Sequence, residues 1–196
     1  MRHDVHLAGY TYGLRPVATS DAPYVVELRA AGGEFINRGA TTLAAQLAWL
    51  AHYFERHGDY CFVIERIDGG RREGLVGVYD VRLDDRSAEW GRFVLARGSN
   101  AAVETALLVY RFAFDVLALE RVRCRTLAEN AKVVAFHESC GLARKPSSVT
   151  IDHDGHPSPG VEHELAKRQW PAVMKRLDAL AARFASATRP SLRAPS

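Results

Sequence analysis

Three polar side chains in the middle of the chain are of the types that proton transfer needs: Glu89, Asn130 and His137. The carboxylate of Glu89 can accept a proton if it points into a cleft. The imidazole of His137 can donate a hydrogen bond or a proton, because the ordinary pKa of histidine lies near neutral pH. The amide of Asn130 offers both a donor and an acceptor. These residues predict acid–base chemistry, provided that the fold brings them together.

Each of these residues also fits a structural role. Asn130 precedes a helical pattern, so its side chain is equally typical of a helix N-cap. Glu89 equally fits a solvent-facing strand residue paired with an arginine. His137 equally fits a helix residue that bonds to backbone or water. The residues alone leave both interpretations open.

Two strand–loop–helix units position these side chains. In the first, the strand at 88–95 is followed by a small-residue turn and by a helix after Asn100. In the second, the apolar strand at 122–127 leads to a helix that Asn130 opens and Gly141 ends. Ligands favour the carboxyl ends of strands that separate, so the two units in tandem predict a ligand cleft.

The remaining pattern predicts an α/β (α+β) fold. A first strand and two helices precede three antiparallel strands, and a hairpin and a long helix follow the second unit. The hairpin is expected at 147–151 and 161–165, around the turn DHDGHPSPG. The final helix, 170–187, has one apolar face that docks onto a core or onto a partner. We therefore expect a mixed, mostly antiparallel sheet of about seven strands with helices on both faces.

Length and composition predict a single domain over residues 10–187, a flexible tail at 1–9 and a disordered tail at 188–196. The net charge of +3 is small and its basic residues are scattered, which disfavours nucleic acid as a partner. No apolar run reaches the roughly 20 residues of a membrane span, and no signal peptide is recognisable. The three cysteines lack CxxC spacing, so we expect reduced thiols in a cytoplasmic monomer or homodimer.

The order and spacing of these segments resemble the GCN5-related N-acetyltransferase (GNAT) superfamily across about residues 10–166. The segments that carry the resemblance are LRPVATSDAPYVVELR, AEWGRFVL, ARGSNAAVETALL, NAKVVAFHESCGL and VEHEL. The block from Asn130 to Gly141 is the most specific, with Leu142 where the family has Phe. The chain looks closest to the branch of ribosomal-protein N-terminal and aminosugar-nucleotide N-acetyltransferases. The resemblance implies a splayed, GNAT-type sheet.

The same resemblance implies acetyl-CoA as co-substrate. Backbone amides at a loop and helix start favour anions such as pyrophosphate. The family's pyrophosphate loop falls on Arg97, Gly98, Ser99, Asn100, Ala101 and Ala102, with Asn100 in place of the usual Gly. Val94 and Leu95 would offer backbone groups to the pantetheine, and Asn130 would hold the cofactor arm or an ordered water.

The resemblance also implies roles in direct acetyl transfer, which needs a neutral amine and a proton for the leaving thiolate. In many relatives a Tyr seven residues after the Asn serves the sulfur, and here that position is His137. Glu89 would take the amine proton, directly or through water, and would attract an ammonium substrate. Asn37 and Arg38 would contact a diphosphate or a peptide carboxylate, and Trp90 would either line the cleft or fill the core.

The expected function is acetyl-CoA-dependent N-acetylation of a small-molecule primary amine, with a nucleotide-linked aminosugar as the favoured acceptor. Two alternatives remain open: a protein N-terminal acetyltransferase, and a non-catalytic acyl-CoA-binding module. The departures at Asn100 and His137 keep the second alternative in view. The turn DHDGHPSPG fits no standard zinc spacing, so no metal site is expected.

Overall fold

The computed structural model describes residues 3–188 and shows an α/β fold built on one eight-stranded sheet. Its strands are β1 (Leu7–Ala8), β2 (Tyr12–Pro16), β3 (Tyr60–Arg66), β4 (Arg72–Arg82), β5 (Ser87–Leu95), β6 (Arg121–Leu127), β7 (Ala143–His153) and β8 (His156–Ala166). Its α-helices are α1 (Ala22–Ala30), α2 (Leu43–Phe54), α3 (Ala102–Arg111), α4 (Ala131–Ser139) and α5 (Trp170–Thr188). The strands lie in the order β1-β2-β3-β4-β5-β6-β8-β7.

Neighbouring strands run antiparallel throughout this sheet except for β5 and β6, which are parallel and are joined by α3. This confirms the expected mixed, mostly antiparallel sheet. The eighth strand, which was not expected, is β1. Its residues Leu7 and Ala8 pair with β2 and fall within the tail that was predicted to be flexible. Two residues are too few to show a strand period in sequence. The tail predicted at 188–196 lies outside the described residues, except for Thr188 at the end of α5.

Alternate residues of β3 pack against two different helical layers. Phe62 and Ile64 belong to a core shared with α3 and α5, whereas Cys61 and Val63 belong to a second core shared with α1 and α2. Because helices cover both faces of the sheet, the sequence of β3 is a continuous apolar run rather than an alternation of apolar and polar residues.

Helix α3 is buried almost all round, and the three charged side chains of α3 and the π-helical turn after it are each paired. Glu104 accepts hydrogen bonds from the backbone amides of residues 10–12. Arg111 donates to an Asp side chain of α5 at 2.8 Å. Asp115, in the π-helical turn, accepts from the indole of Trp170 at 2.9 Å. These pairs hold the N-terminal turn and α5 against α3.

Helix α5 packs onto the core of its own chain. The side chains of Val173, Leu177 and Ala181 are buried in the same cluster as α3. Sequence periodicity identified this apolar face but not its partner, because an amphipathic helix has the same pattern whether it covers its own core or another subunit.

The hairpin of β7 and β8 is longer than predicted. Its turn is only Asp154 and Gly155, and Gly155 has the left-handed φ of +84°. The prolines at 157 and 159, which suggested a long turn, lie in β8 beyond Gly160, the residue opposite the end of β6. A proline is tolerated there because its missing N–H faces an edge without a ladder partner.

Strands β5 and β6 separate after a short stretch of pairing. They pair only at residues 87–89 and 121–123. Further along, β5 stays paired with β4. Between the pairs Gly77–Gly91 and Leu75–Val94, β5 has one residue more than β4. Arg92 lies in this bulge with φ of +50°. A bulge bends its strand, so β5 turns away from β6 and a gap opens between them.

Candidate active site

A cavity of about 650 Å³ lies at the gap between β5 and β6. Its walls come from the unpaired ends of these two strands, from α1, α2 and α4, from the loop at 31–42 and from the tip of the β7–β8 hairpin. Past Glu89, β5 has no strand partner on the β6 side, so alternate amides and carbonyls of β5 face the gap. We refer to this cavity as the cleft.

Glu89 lies in the cleft at the point where the two strands separate, and it is 7% exposed. The Tyr79 hydroxyl donates to one carboxylate oxygen at 2.9 Å, and the Arg125 guanidinium donates to the other at 2.8 Å. Burial and the charge of Glu89 raise the pKa of Tyr79, so the phenol stays a donor. The side chain thus points into the cleft and is also paired with an arginine, which combines the two interpretations that the sequence left open.

His137 lines the cleft from α4 and is 4% exposed. Its ring meets the Trp90 ring edge to face, with centroids 5.2 Å apart and an interplanar angle of 85°. Burial, and secondarily the nearby His163, lower the pKa of His137 from 6.5 to about 4. The imidazole is therefore neutral at physiological pH, with one nitrogen that donates and one that accepts.

Asn130 caps α4 and also borders the cleft. Its side-chain oxygen accepts from the amide of Val133 at 3.2 Å. The cap uses only the acceptor end of the amide, so the donor end stays available to a ligand in the cleft.

The loop between β5 and α3 includes one residue in the left-handed region of φ. Gly98 adopts φ of +81°, with nothing within 4 Å of the position that a Cβ would take. Asn100, which stands where the family has Gly, is not among the residues with positive φ, so this substitution does not require left-handed backbone. Ala101 caps α3 without a side-chain acceptor, and the Ser99 hydroxyl accepts from the amide of Ala101 at 3.3 Å. The first amides of α3 therefore have no side-chain cap.

Val94 and Leu95 lie on the part of β5 that has left β6. They pair with Leu75 and Gly74 of β4, and Val94 also lines the cleft. The Val94 side chain is buried in the core shared with α1 and α2.

The residues expected on the acceptor side lie in different places. Asn37 borders the cleft, whereas the side chain of Arg38 is exposed and its backbone amide donates to Asp154 at 2.8 Å. Trp90 is 1% exposed, and its indole donates to the Tyr110 hydroxyl at 3.0 Å within the α3 core. Trp90 belongs to the core and also lines the cleft, so it meets both positions considered for it, and its ring packs against His137.

Several cleft residues were missed by sequence reasoning. The Arg29 guanidinium lines the cleft from α1 and donates to the Asn37 carbonyl at 2.6 Å, and among the described residues no carboxylate forms an ion pair with it. Arg92 packs over Tyr79, with 4.4 Å from its guanidinium carbon to the ring centroid, and pairs with Asp59. Alternating arginines in the strand RVRCRTL were a signal for Arg125, but nothing local marks Arg29 or Arg92.

Within residues 3–188, no group of three or more His, Cys, Asp or Glu side chains is placed to hold a metal ion. The three cysteines are buried and unpaired with one another. Among the same residues, no helix is long and apolar enough to cross a membrane.

Comparisons with known proteins identify relatives of this fold. A sequence profile of the acetyltransferase (GNAT) domain matches residues 12–143. Among solved structures, FdhC, described as a nucleotide-linked sugar GNAT, is 27% identical with a TM-score of 0.73, and the match covers 93% of this chain and 99% of FdhC. A search of curated proteins found no match.

Two further structures are similar in fold alone. A GCN5-related N-acetyltransferase from Brucella melitensis is 17% identical with a TM-score of 0.77, and the match covers 93% of this chain and 87% of that one. A mutant of the spermidine N-acetyltransferase SpeG from Vibrio cholerae is 17% identical with a TM-score of 0.70, over 83% of this chain and 97% of that one.

Proposed function

Because the chain belongs to the GNAT acetyltransferase family, we propose that it transfers the acetyl group of acetyl-CoA to the primary amine of a nucleotide-linked aminosugar. The family supplies the reaction type and the co-substrate. The acceptor is inferred from the cleft, with support from the likeness to a nucleotide-linked sugar GNAT.

The observation that carries this proposal is the charge pattern of the cleft. Glu89 presents a buried carboxylate, whereas Arg29 presents a guanidinium that forms no ion pair with any carboxylate of the described residues. A suitable acceptor combines an amine with an anion, as an aminosugar linked to a nucleoside diphosphate does. A polyamine would bring only positive charge towards Arg29, which disfavours the acceptor named for the spermidine acetyltransferase.

Acetyl transfer forms a C–N bond, breaks the C–S bond and moves two protons. In the proposed mechanism the backbone of β5 aligns the thioester beside Glu89, which accepts the amine proton directly or through a water. Tyr79 and Arg125 orient this carboxylate. His137 donates a hydrogen bond to the departing sulfur from within the cleft. Amides of the loop at 97–102 and of the start of α3 hold the pyrophosphate.

The test is to follow thiol release from acetyl-CoA with a panel of amines: nucleotide-linked aminosugars, free aminosugars, polyamines and peptides with free N-termini. We expect release with a nucleotide-linked aminosugar. Release only with peptides would instead assign the protein to N-terminal acetylation. If no amine causes thiol release although acetyl-CoA still binds, the result would favour the non-catalytic acyl-CoA-binding module.

Arg29→Gln sharpens this test. We expect it to raise the KM for the nucleotide-linked aminosugar at least tenfold, about 1.4 kcal/mol, because a charged contact to phosphate is lost. The KM for the free aminosugar should stay unchanged. Arg168→Gln, at an exposed arginine outside the cleft, is the matched control. Equal effects on both acceptors would remove Arg29 from phosphate recognition.

A further inference from the structure

Buried ring nitrogens without partners lie behind the cleft. The His163 side chain on β8 is completely buried, and neither of its ring nitrogens has a hydrogen-bond partner. Nδ1 of His137 is likewise buried without a partner. Such atoms cost free energy, since water would satisfy them in the unfolded chain. Three of them on two neighbouring rings call for an explanation beyond packing.

The two histidines form a path from the cleft to the surface. Their ring centroids are 5.5 Å apart, so that one water or a small ring rotation can join their nitrogens. On the far side, Nε2 of His163 lies 3.6 Å from a carboxylate oxygen of Glu138. The Glu138 side chain is 46% exposed. The order from cleft to solvent is therefore His137, His163, Glu138.

Four groups face His163 from the elements packed around it. Glu138 and His137 approach from α4, Cys124 is its neighbour across β6, and Arg144 is its neighbour across β7. Burial is the main cause that lowers the pKa of His163, Arg144 lowers it further, and Glu138 opposes both. Both histidines are therefore neutral at physiological pH.

Neutral imidazoles can pass a proton without becoming ions. A ring that gives up its proton at one nitrogen while it takes a proton at the other only changes tautomer. This route suits His137, whose pKa of about 4 makes the imidazolium a poor resting state.

We propose that His137, His163 and Glu138 form a proton route that supplies the leaving sulfur from solvent. The proposal rests on the proposed function in one respect, namely that His137 serves the sulfur. As the C–S bond breaks, its electron pair stays on sulfur, which takes the proton from the cleft-facing nitrogen of His137. Nδ1 of His137 takes a proton from His163, and His163 is resupplied through Glu138. The amine proton goes separately to Glu89, so charge and protons balance.

In this route His163 is a positioning residue, because it acts through His137 and does not touch substrate. Its first test measures the tautomers of both rings by ¹⁵N NMR of the ring nitrogens, which requires no turnover. We expect Glu138→Gln to change the tautomer ratio of His137 as well as that of His163. Glu129→Gln, an exposed residue just before α4, is the matched control and should change neither. An unchanged tautomer ratio of His137 in the Glu138→Gln variant would overturn the route.

The second test is kinetic. His163→Phe keeps a ring of similar shape, and we expect it to lower kcat at least about tenfold with an unchanged KM for acetyl-CoA. His163→Ala should regain activity when imidazole is added, whereas a merely structural role would give no rescue. Full kcat in a folded His163→Phe would overturn the proposal. Absence of turnover in the wild type would count against the proposed function, while the NMR result would still decide the route.

Discussion

At the scale of residues, the cleft contains two buried polar side chains in opposite surroundings. Glu89 accepts hydrogen bonds from the Tyr79 hydroxyl and the Arg125 guanidinium. His137 contacts Trp90 and a second histidine, which favour its neutral form. The proposed division of roles, proton acceptance at Glu89 and donation at His137, follows from these neighbours.

Replacing Glu89 by Gln is expected to lower kcat about 100-fold, because the amide cannot accept the amine proton. Activity should then recover as the pH rises and more of the amine is already neutral. The measurement is kcat against pH for both forms, with Glu27→Gln, at an exposed residue of α1, as the control. A wild-type pH profile in Glu89→Gln would assign Glu89 to structure alone.

Acid stability should depend on His137. Its pKa is lowered from 6.5 to about 4 in the folded chain, so below pH 6.5 the unfolded chain binds a proton that the folded chain does not. The free energy of unfolding is therefore highest above about pH 6.5. It falls by a total of about 3 kcal/mol as the pH falls towards 4. His137→Phe should therefore lose less unfolding free energy than the wild type between neutral pH and about pH 4.5.

Urea denaturation at the two pH values measures this difference. His57→Phe, at an exposed histidine, is the control and should lose as much stability as the wild type. If His137→Phe and the wild type lose the same unfolding free energy between the two pH values, His137 does not govern acid stability.

At the scale of elements, α3 connects three parts of the molecule. Its uncapped start faces the loop of the proposed pyrophosphate site, its apolar body fills the core, and its charged side chains hold α5 and the N-terminal turn. The burial of α3 follows from its own sequence, because nearly every position of the helix is apolar. The partners of its charged residues could not be predicted, since Glu104 meets residues more than 90 positions away.

Glu104→Ala tests this connection. The substitution leaves the backbone amides of residues 10–12 without their acceptor, and we expect it to lower the free energy of unfolding by about 2 kcal/mol. Urea denaturation measures the loss. Glu129→Ala, at an exposed glutamate, should change stability by less than about 0.5 kcal/mol.

At the scale of the whole molecule, the cleft depends on contacts between distant segments. The loop at 31–42 is tied to the β7–β8 hairpin by hydrogen bonds from the Arg38 amide to Asp154 and between His153 and the Glu34 carbonyl, at 2.8 and 2.9 Å. Together these segments cover one side of the gap that the bulge in β5 opens. The bulge, the loop and the hairpin thus set the shape of one cavity.

Acetyl-CoA should stabilise the whole fold. A ligand that binds only the folded chain adds about 2.7 kcal/mol of unfolding free energy at a concentration of 100 Kd. Thermal or urea denaturation with and without acetyl-CoA measures the gain, and ATP at the same concentration is the control for non-specific binding of a phosphate anion. A gain no larger than that with ATP would contradict acetyl-CoA binding at the gap.

The sequence by itself determined the order of the elements, the two strand–loop–helix units, the cap at Asn130 and the family resemblance. These follow from local periodicity and local turn chemistry, which involve residues a few positions apart. Only the tertiary structure decided that the Glu89 carboxylate lies in the cleft and that the Trp90 ring is packed in the core at the edge of the cleft. A two-residue period sends neighbours to opposite faces but does not say which face is which. It also decided that Arg125 meets Glu89 and that His163 lies behind His137, because sheet register and helix packing bring together residues that are far apart in the chain.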